Sequence, residues 1–261
     1  MKLLSAQQLY LLRGKIAVLS DIKINVDAGE FVGLIGPNGA GKSSLMRVLA
    51  ALCKPNSGEV AMHLDGALKN IAHIAPQKRA QAMAYLAQNE APAWPLSVKN
   101  LVSLGRLPHG NNLLNPSAED EAAVAHALHI TDLTALAERP VTELSGGELQ
   151  RTLLARVFAG QPQLILADEP IAALDIYHQL QVMELLQLHV REGGGVIAAL
   201  HDLSLAARFC SRLILLSHGK IVADGSPLEV LSAANIEQVY GVGVYVDCRE
   251  EGVVIIPRQR L

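Results

Sequence analysis

Three features of the chain predict an α/β fold. Short apolar runs at residues 31–35, 164–167, 196–200 and 213–216 have the length and character of buried strands. Segments with helical spacing of apolar residues lie between them, as helices laid on a sheet require. A glycine-rich loop, Gly36-Pro37-Asn38-Gly39-Ala40-Gly41-Lys42-Ser43, sits directly after the first apolar run and before a helical segment.

In chain order, Ile22, Ile24 and Val26 alternate with Asp21, Lys23, Asn25 and Asp27, the period of a half-buried strand. Residues 27–30 turn the chain into the run at 31–35. After the loop, Leu45, Val48, Leu49 and Leu52 recur at helical spacing. Residues 54–58 punctuate, 59–64 read as an edge strand, and 70–78 carry a faint helical pattern. Residues 83–87 form a short strand ending at Gln88. The stretch 89–95 is Pro-rich and irregular, and 96–104 resume helical spacing. Ser117-Ala118-Glu119-Asp120 caps a helix whose buried face carries Val124, Ala125 and Leu128. Residues from about 89 to 160 are thus expected to form a mostly helical lobe inserted into the α/β core of a single domain spanning 1–261. His218-Gly219-Lys220 is a hairpin turn, 227–240 are helical, and the tail 241–261 is expected to end in a small strand pair.

The loop reads G-x-x-x-x-G-K-S, the phosphate-binding pattern called Walker A. A triphosphate is held by backbone N–H groups pointing inward from a curved loop, and residues without Cβ permit that curvature and close approach. Lys42 is expected to reach the β- and γ-phosphates, Ser43 to offer its hydroxyl to Mg²⁺, and Ser44 to join the nucleotide-contacting set. The following helix turns its positive end toward the same phosphates.

Half of the 261 residues are hydrophobic, enough for a substantial core. A net charge of −3 without a basic stripe excludes a nucleic-acid footprint and a polybasic lipid anchor. Cys53, Cys210 and Cys248 are odd in number and far apart, which fits free thiols rather than disulfides or a zinc site. No signal peptide and no apolar run of membrane-spanning length is apparent, so the expected compartment is cytosolic. His63, His73, His126 and His178 lack metal-ligand spacing and read as surface or packing residues.

Residues 161–170 form an apolar strand ending in Asp168 and Glu169. A carboxylate at that strand end is placed to hold Mg²⁺, the reading for Asp168. Glu169 is placed to act as general base on the water attacking the γ-phosphate. Leu144-Ser145-Gly146-Gly147-Glu148-Leu149-Gln150 offers a hydroxyl and exposed N–H groups at a helix start, with Leu149, Leu153 and Val157 on one face.

That segment resembles the LSGGQ-type signature of the ATP-binding-cassette ATPases, with Glu148 in place of the usual Gln. The resemblance implies a P-loop NTPase core, a RecA-like mixed sheet with helices, together with an antiparallel β subdomain and the inserted helical subdomain. It also implies that Ser145, Gly146, Gly147 and Glu148 close over ATP bound by a second copy. Gln88 resembles the Q-loop glutamine that contacts Mg²⁺ or the attacking water, and His201 the switch histidine on the γ-phosphate. Asp175 resembles the D-loop aspartate at the dimer interface, although Ile171-Ala172-Ala173 replaces the common Thr-Ser-Ala and removes a hydroxyl. The family stacks adenine on an aromatic residue. No aromatic is in register here, so Arg13 could supply its guanidinium plane, with Tyr10 as the alternative. Residues 97–110, containing Gly105-Arg106-Leu107-Pro108-His109-Gly110, resemble the ATPases of iron-siderophore, haem and cobalamin importers, as do His201-Asp202-Leu203 and 219–231.

The expectation is an ATP- and Mg²⁺-dependent homodimeric ATPase on the cytoplasmic face of the plasma membrane. It would drive separate transmembrane permease subunits, served by a periplasmic or surface substrate-binding protein that the resemblance implies. An exporter cassette shares the same chemistry and is the alternative. A ribosomal cassette protein would carry two cassettes, and a DNA-repair cassette a long coiled coil between Walker A and signature.

Overall fold

The computed structural model describes residues 1–88, 94–110, 115–249 and 252–260. The chain opens with β1 (Lys2–Arg13), β2 (Ile16–Asp27) and β3 (Phe31–Ile35), followed by α1 (Lys42–Leu49). Next come β4 (Ser57–Leu64), β5 (Ala67–Asn70), α2 (Pro76–Ala82) and β6 (Met83–Leu86). The lobe contributes α3 (Val98–Ser103), α4 (Ala118–Ile130) and α5 (Gly146–Ala159). Then follow β7 (Leu164–Asp168), α6 (Ile176–Arg191), β8 (Gly195–Ala199), α7 (Leu203–Phe209), β9 (Arg212–Ser217) and β10 (Lys220–Gly225). The chain ends with α8 (Pro227–Val230), α9 (Ala233–Tyr240), β11 (Val242–Arg249) and β12 (Gly252–Arg260).

Among the described residues the strands form three sheets. The central one has the order β10-β9-β3-β8-β7-β6, parallel throughout except for the β9–β10 hairpin. β3, β7 and β8 are buried at every residue, as parallel strands covered on both faces must be. Alternate side chains supply two cores. Phe31 and Ile35 join the core that includes the helical lobe, while Val32 and Leu34 join the core under the second sheet. That second sheet is antiparallel, order β2-β1-β4-β5. Arg212 ties the two sheets together. It forks onto Asp224 at 2.5 and 2.7 Å and also donates to Glu30 and the Asn25 carbonyl. The third sheet is the β11–β12 hairpin, packed against α7 and α9.

Several expectations need correction. The 59–64 run is β4, but it lies between β1 and β5 and is no edge strand. Residues 70–78 are not one helix, because a single 3₁₀ turn at Ile71–His73 precedes α2, which starts on Pro76. Leu52 lies beyond the end of α1 and is 61 % exposed, since Ala51 takes a left-handed backbone (φ 54°) that stops the helix. On α4 the buried face carries Ala123, Val124, Ala127 and Leu128, and Ala125 faces solvent. Residues 227–240 form two helices, the second restarted by the Ser232 cap. The irregular stretch expected at 89–95 falls largely outside the described residues. So does the side chain of Cys248, while Cys53 and Cys210 are free and Cys210 is buried.

Candidate nucleotide site

The parallel register gathers the chemistry at one edge. Leu34 and Asp168 both lie level with Ala199 of β8, and Leu86 of β6 lies level with Ala167. The glycine-rich loop, Asp168-Glu169, Gln88 and His201 therefore all leave the C-terminal ends of neighbouring strands, where open α/β sheets bind ligands.

Gly36 takes φ 144°, and a Cβ there would stand 2.2 Å from the Leu216 carbonyl oxygen, so the loop's first position admits only glycine. Lys42, 5 % exposed, donates to the Gly36 carbonyl at 2.7 Å and to that of Pro37 at 3.2 Å. Burial pushes its ammonium pKa down, and the carboxylates of Glu169 and Asp168 oppose that shift. The phenol of Tyr240 at the end of α9 takes a hydrogen bond from the Gly36 backbone, which ties the C-terminal helix to this loop.

Asp168 is buried and accepts from Ser43 Oγ on one oxygen and from Tyr85 Oη on the other, both at 3.1 Å. Desolvation pushes its pKa up, against those two hydrogen bonds. Ser43 and Asp168 present hard oxygen donors side by side, the donor set that Mg²⁺ takes beside a nucleotide's phosphates. Tyr85 also contacts Arg47 of α1, and burial raises its phenol well above the ordinary range, so it remains a donor.

Glu169 stands in the left-handed region at φ 53°, an uncommon conformation for a residue with a side chain. Gln88 Nε2 donates to one of its oxygens at 2.5 Å, and His201 Nε2 lies 2.6 Å from the other. The two carboxylate oxygens are thus aimed by groups from two different strand ends. The carboxylate as acceptor requires the Nε2–H form of His201. Asp202, next in the chain, caps α7 by accepting from the N–H groups of Ser204 and Leu205, which holds the histidine's loop.

Ser145, Gly146, Gly147, Glu148 and Asp175 form a second group, at the N-termini of α5 and α6. Ser145 and Glu148 make a capping box, each side chain on the other's backbone N–H at 3.3 and 2.8 Å. Those bonds hold the Glu148 carboxyl below its usual pKa. Asp175 caps α6 and accepts from both the N–H and Nδ1 of His178, at 2.9 and 2.8 Å. Arg13 is exposed at the end of the β1–β2 hairpin, opposite the exposed Ile16. Val18 and Leu19 of the same hairpin pack on Gly41. Tyr10 lies farther along β1, beside Ser57.

The ABC transporter family profile matches residues 19–172, more than half of the chain. The chain belongs to the ABC transporter family. This cassette is 42 % identical over 240 residues to the ferric enterobactin transport ATP-binding protein FepC of Escherichia coli, covering 92 % of the chain and 87 % of the relative. It is 38 % identical over 263 residues to the hemin import ATP-binding protein HmuV of Bordetella avium, covering 97 % and 98 %. A metal-chelate type ABC transporter in an inward-facing conformation has the same fold, with TM-score 0.84, 24 % identity and coverage of 99 % and 98 %. A dimeric cassette in a post-hydrolysis state, bound to ADP and Pi, superposes with TM-score 0.73 at 28 % identity, covering 86 % of this chain and 98 % of its own. The cassette is an ATP-binding, ATP-hydrolysing subunit with the P-loop α/β fold. No helix among its described residues is long and apolar enough to cross a membrane.

The sequence reading missed three residues. Tyr85 lies on β6 three residues before Gln88, on the face that also carries Met83. His178 stands one turn into α6, and Tyr240 closes α9. The alternation of β6 could have placed Tyr85 beside α1. The other two act through partners no local pattern reveals.

Proposed function

We propose that this cassette energises an importer of iron chelates, a ferric siderophore or haem, from the cytoplasmic face of the plasma membrane. The observation that carries the catalytic reading is Glu169, held between Gln88 and His201 beside the Walker lysine. In this reading the loop from Gly36 to Ser44 binds the triphosphate, Arg13 stacks on adenine, and Lys42 releases its loop carbonyls to reach the β- and γ-phosphates. Ser43, Asp168 and Gln88 would hold Mg²⁺, which would supply positive charge against that developing on the phosphates. Glu169 accepts the proton of the attacking water while His201 hydrogen-bonds the γ-phosphate.

Two copies pair head to tail, and Ser145–Glu148 of each closes on the nucleotide held by the other, with Asp175 at the seam. ATP favours closure because it completes two anion cradles at once. The lobe carries the movement to transmembrane permease subunits. Exposed Trp94 and Leu107 on that lobe, 75 % and 48 % accessible, support a partner surface there. A periplasmic or surface substrate-binding protein would deliver cargo. The names of the similar FepC and HmuV proteins support the iron-chelate cargo.

The test is reconstitution of the cassette with its co-purifying permease, followed by ATPase assay with binding protein loaded with ferric siderophore or haem. Stimulation by loaded but not empty binding protein supports the reading. Stimulation by a cytoplasmic substrate alone would assign the cassette to an exporter. In the same assay Glu169→Gln should lower turnover by about 10²–10⁴-fold, the usual worth of a general base, while retaining ATP. Lys42→Ala should weaken ATP binding itself.

A further inference from the structure

Gly146 and Gly147 are adjacent in the signature but have different surroundings. A Cβ on Gly146 would meet nothing within 4 Å, so this residue faces open space. A Cβ on Gly147 would stand 2.5, 2.7 and 2.8 Å from Cδ2, Cγ and Nε2 of His178. Gly147 lies inside α5 outside the left-handed region, so its backbone does not require glycine, and glycine there costs about 1 kcal/mol relative to alanine. What requires glycine is the imidazole lying against its α-carbon. The other side of that ring reaches the Asp175 carboxylate through Nδ1 at 2.8 Å. Tyr177 packs edge-on against the ring at 5.4 Å, and Arg151 Nη1 donates to Gln181 Oε1 at 2.8 Å, one turn farther along both helices.

We propose that His178 is a positioning residue that clasps the N-terminus of α5 to that of α6, so that the signature loop and Asp175 meet a second copy as one rigid unit. A side chain that touches both elements sets their spacing before the partner arrives, which lowers the ordering cost of closure. Loss of the clasp therefore weakens pairing without touching the chain's own phosphate loop. The inference rests on the paired assembly proposed above.

The test uses the full chain carrying Glu169→Gln, alone and with His178→Ala or His178→Gln. Sedimentation measures the Mg-ATP concentration at half-maximal dimer, and a fluorescent ATP analogue at nanomolar protein measures monomer affinity. His178→Ala should raise the half-maximal concentration about tenfold and leave monomer affinity unchanged. His178→Gln, which keeps a donor for Asp175 but loses the ring against Gly147, should restore only part of the difference. A cycle that does not depend on pairing reads the contact directly. Gly147→Ala should lower Tm in the His178 chain and, with the ring gone, no longer lower it beside His178→Ala. Dimerisation of His178→Ala at the parental ATP concentration, an equal fall in monomer affinity, or an additive Gly147 cycle would each overturn the clasp. If the Glu169→Gln parent stays monomeric, the paired assembly is wrong, and the Gly147 cycle still decides whether the clasp exists.

Discussion

Asp168 takes one hydroxyl from Ser43 in the phosphate loop and one from Tyr85 in the strand leading to Gln88. A carboxylate held at both oxygens cannot rotate, so its free lone pairs point in fixed directions. Tyr85→Phe should leave nucleotide affinity in EDTA unchanged. It should raise the Mn²⁺ concentration needed to saturate the nucleotide complex by about five- to tenfold, read by electron paramagnetic resonance of free Mn²⁺. An unchanged Mn²⁺ titration would remove Tyr85 from the metal's support. The residues that the structure gathers around Glu169 and Asp168 were named from the sequence where they stand in short motifs or at predicted strand ends, as Ser43, Gln88 and His201 do. Tyr85 was not, because its partner lies 83 positions away, and a tyrosine in a strand reads as packing. His178 was read as a surface or packing residue, which misses half of what it does: its carbon edge packs on Gly147, and Nδ1 binds Asp175.

At the scale of elements, the lobe hangs on Arg106, which is 1 % exposed and contributed by the Gly105–Gly110 stretch. Its guanidinium donates to Asp120 at 2.7 Å, to the Ala159 carbonyl and to Gln161, joining α4 to the end of α5 just before β7. Removing a buried partner leaves the other charge stranded, so Arg106→Met should cost roughly 3 kcal/mol in urea unfolding. The hydrogen bond from Ser117, and then that from Arg106, hold the Asp120 pKa below the ordinary carboxylate range. A depressed pKa means the folded state binds its proton more weakly than the unfolded chain. The contribution is therefore complete above about pH 4, the unperturbed carboxylate value, and is lost as pH falls through the depressed one. Thermal melts from pH 7 to pH 2.5 should show this acid loss, and Asp120→Asn should flatten it.

The elements themselves were legible where an apolar run was unbroken, as in β3, β7, β8 and β9. β1 went unread because Gln8 takes a left-handed backbone (φ 50°) and shifts the register between Ala6 and Leu9, which breaks the alternation. Asp21 (φ 52°) does the same to β2 and hides the half before Ile22. The His218-Gly219 turn was legible because a two-residue hairpin loop needs positive φ at both positions, and it has 47° and 73°.

For the whole molecule, the C-terminal elements pack on supports of the candidate site. β12 packs on α7, the helix after His201, and α9 reaches Gly36 through Tyr240. A chain ending at Gly241 should therefore melt at lower temperature and turn over ATP more slowly, while Tyr240→Phe affects only the second property. Calorimetry alongside steady-state assay separates the two. Equal turnover in the shortened chain would restrict the tail to packing.

The central sheet keeps two cores apart, with the helical lobe on one face and the antiparallel sheet on the other. A swing of the lobe toward another subunit would therefore repack side chains on a single face, leaving the opposite one as a fixed bearing. In the paired assembly proposed above, torque raised at the terminal phosphate would then be delivered in one direction, without slackening the grip on the rest of the nucleotide.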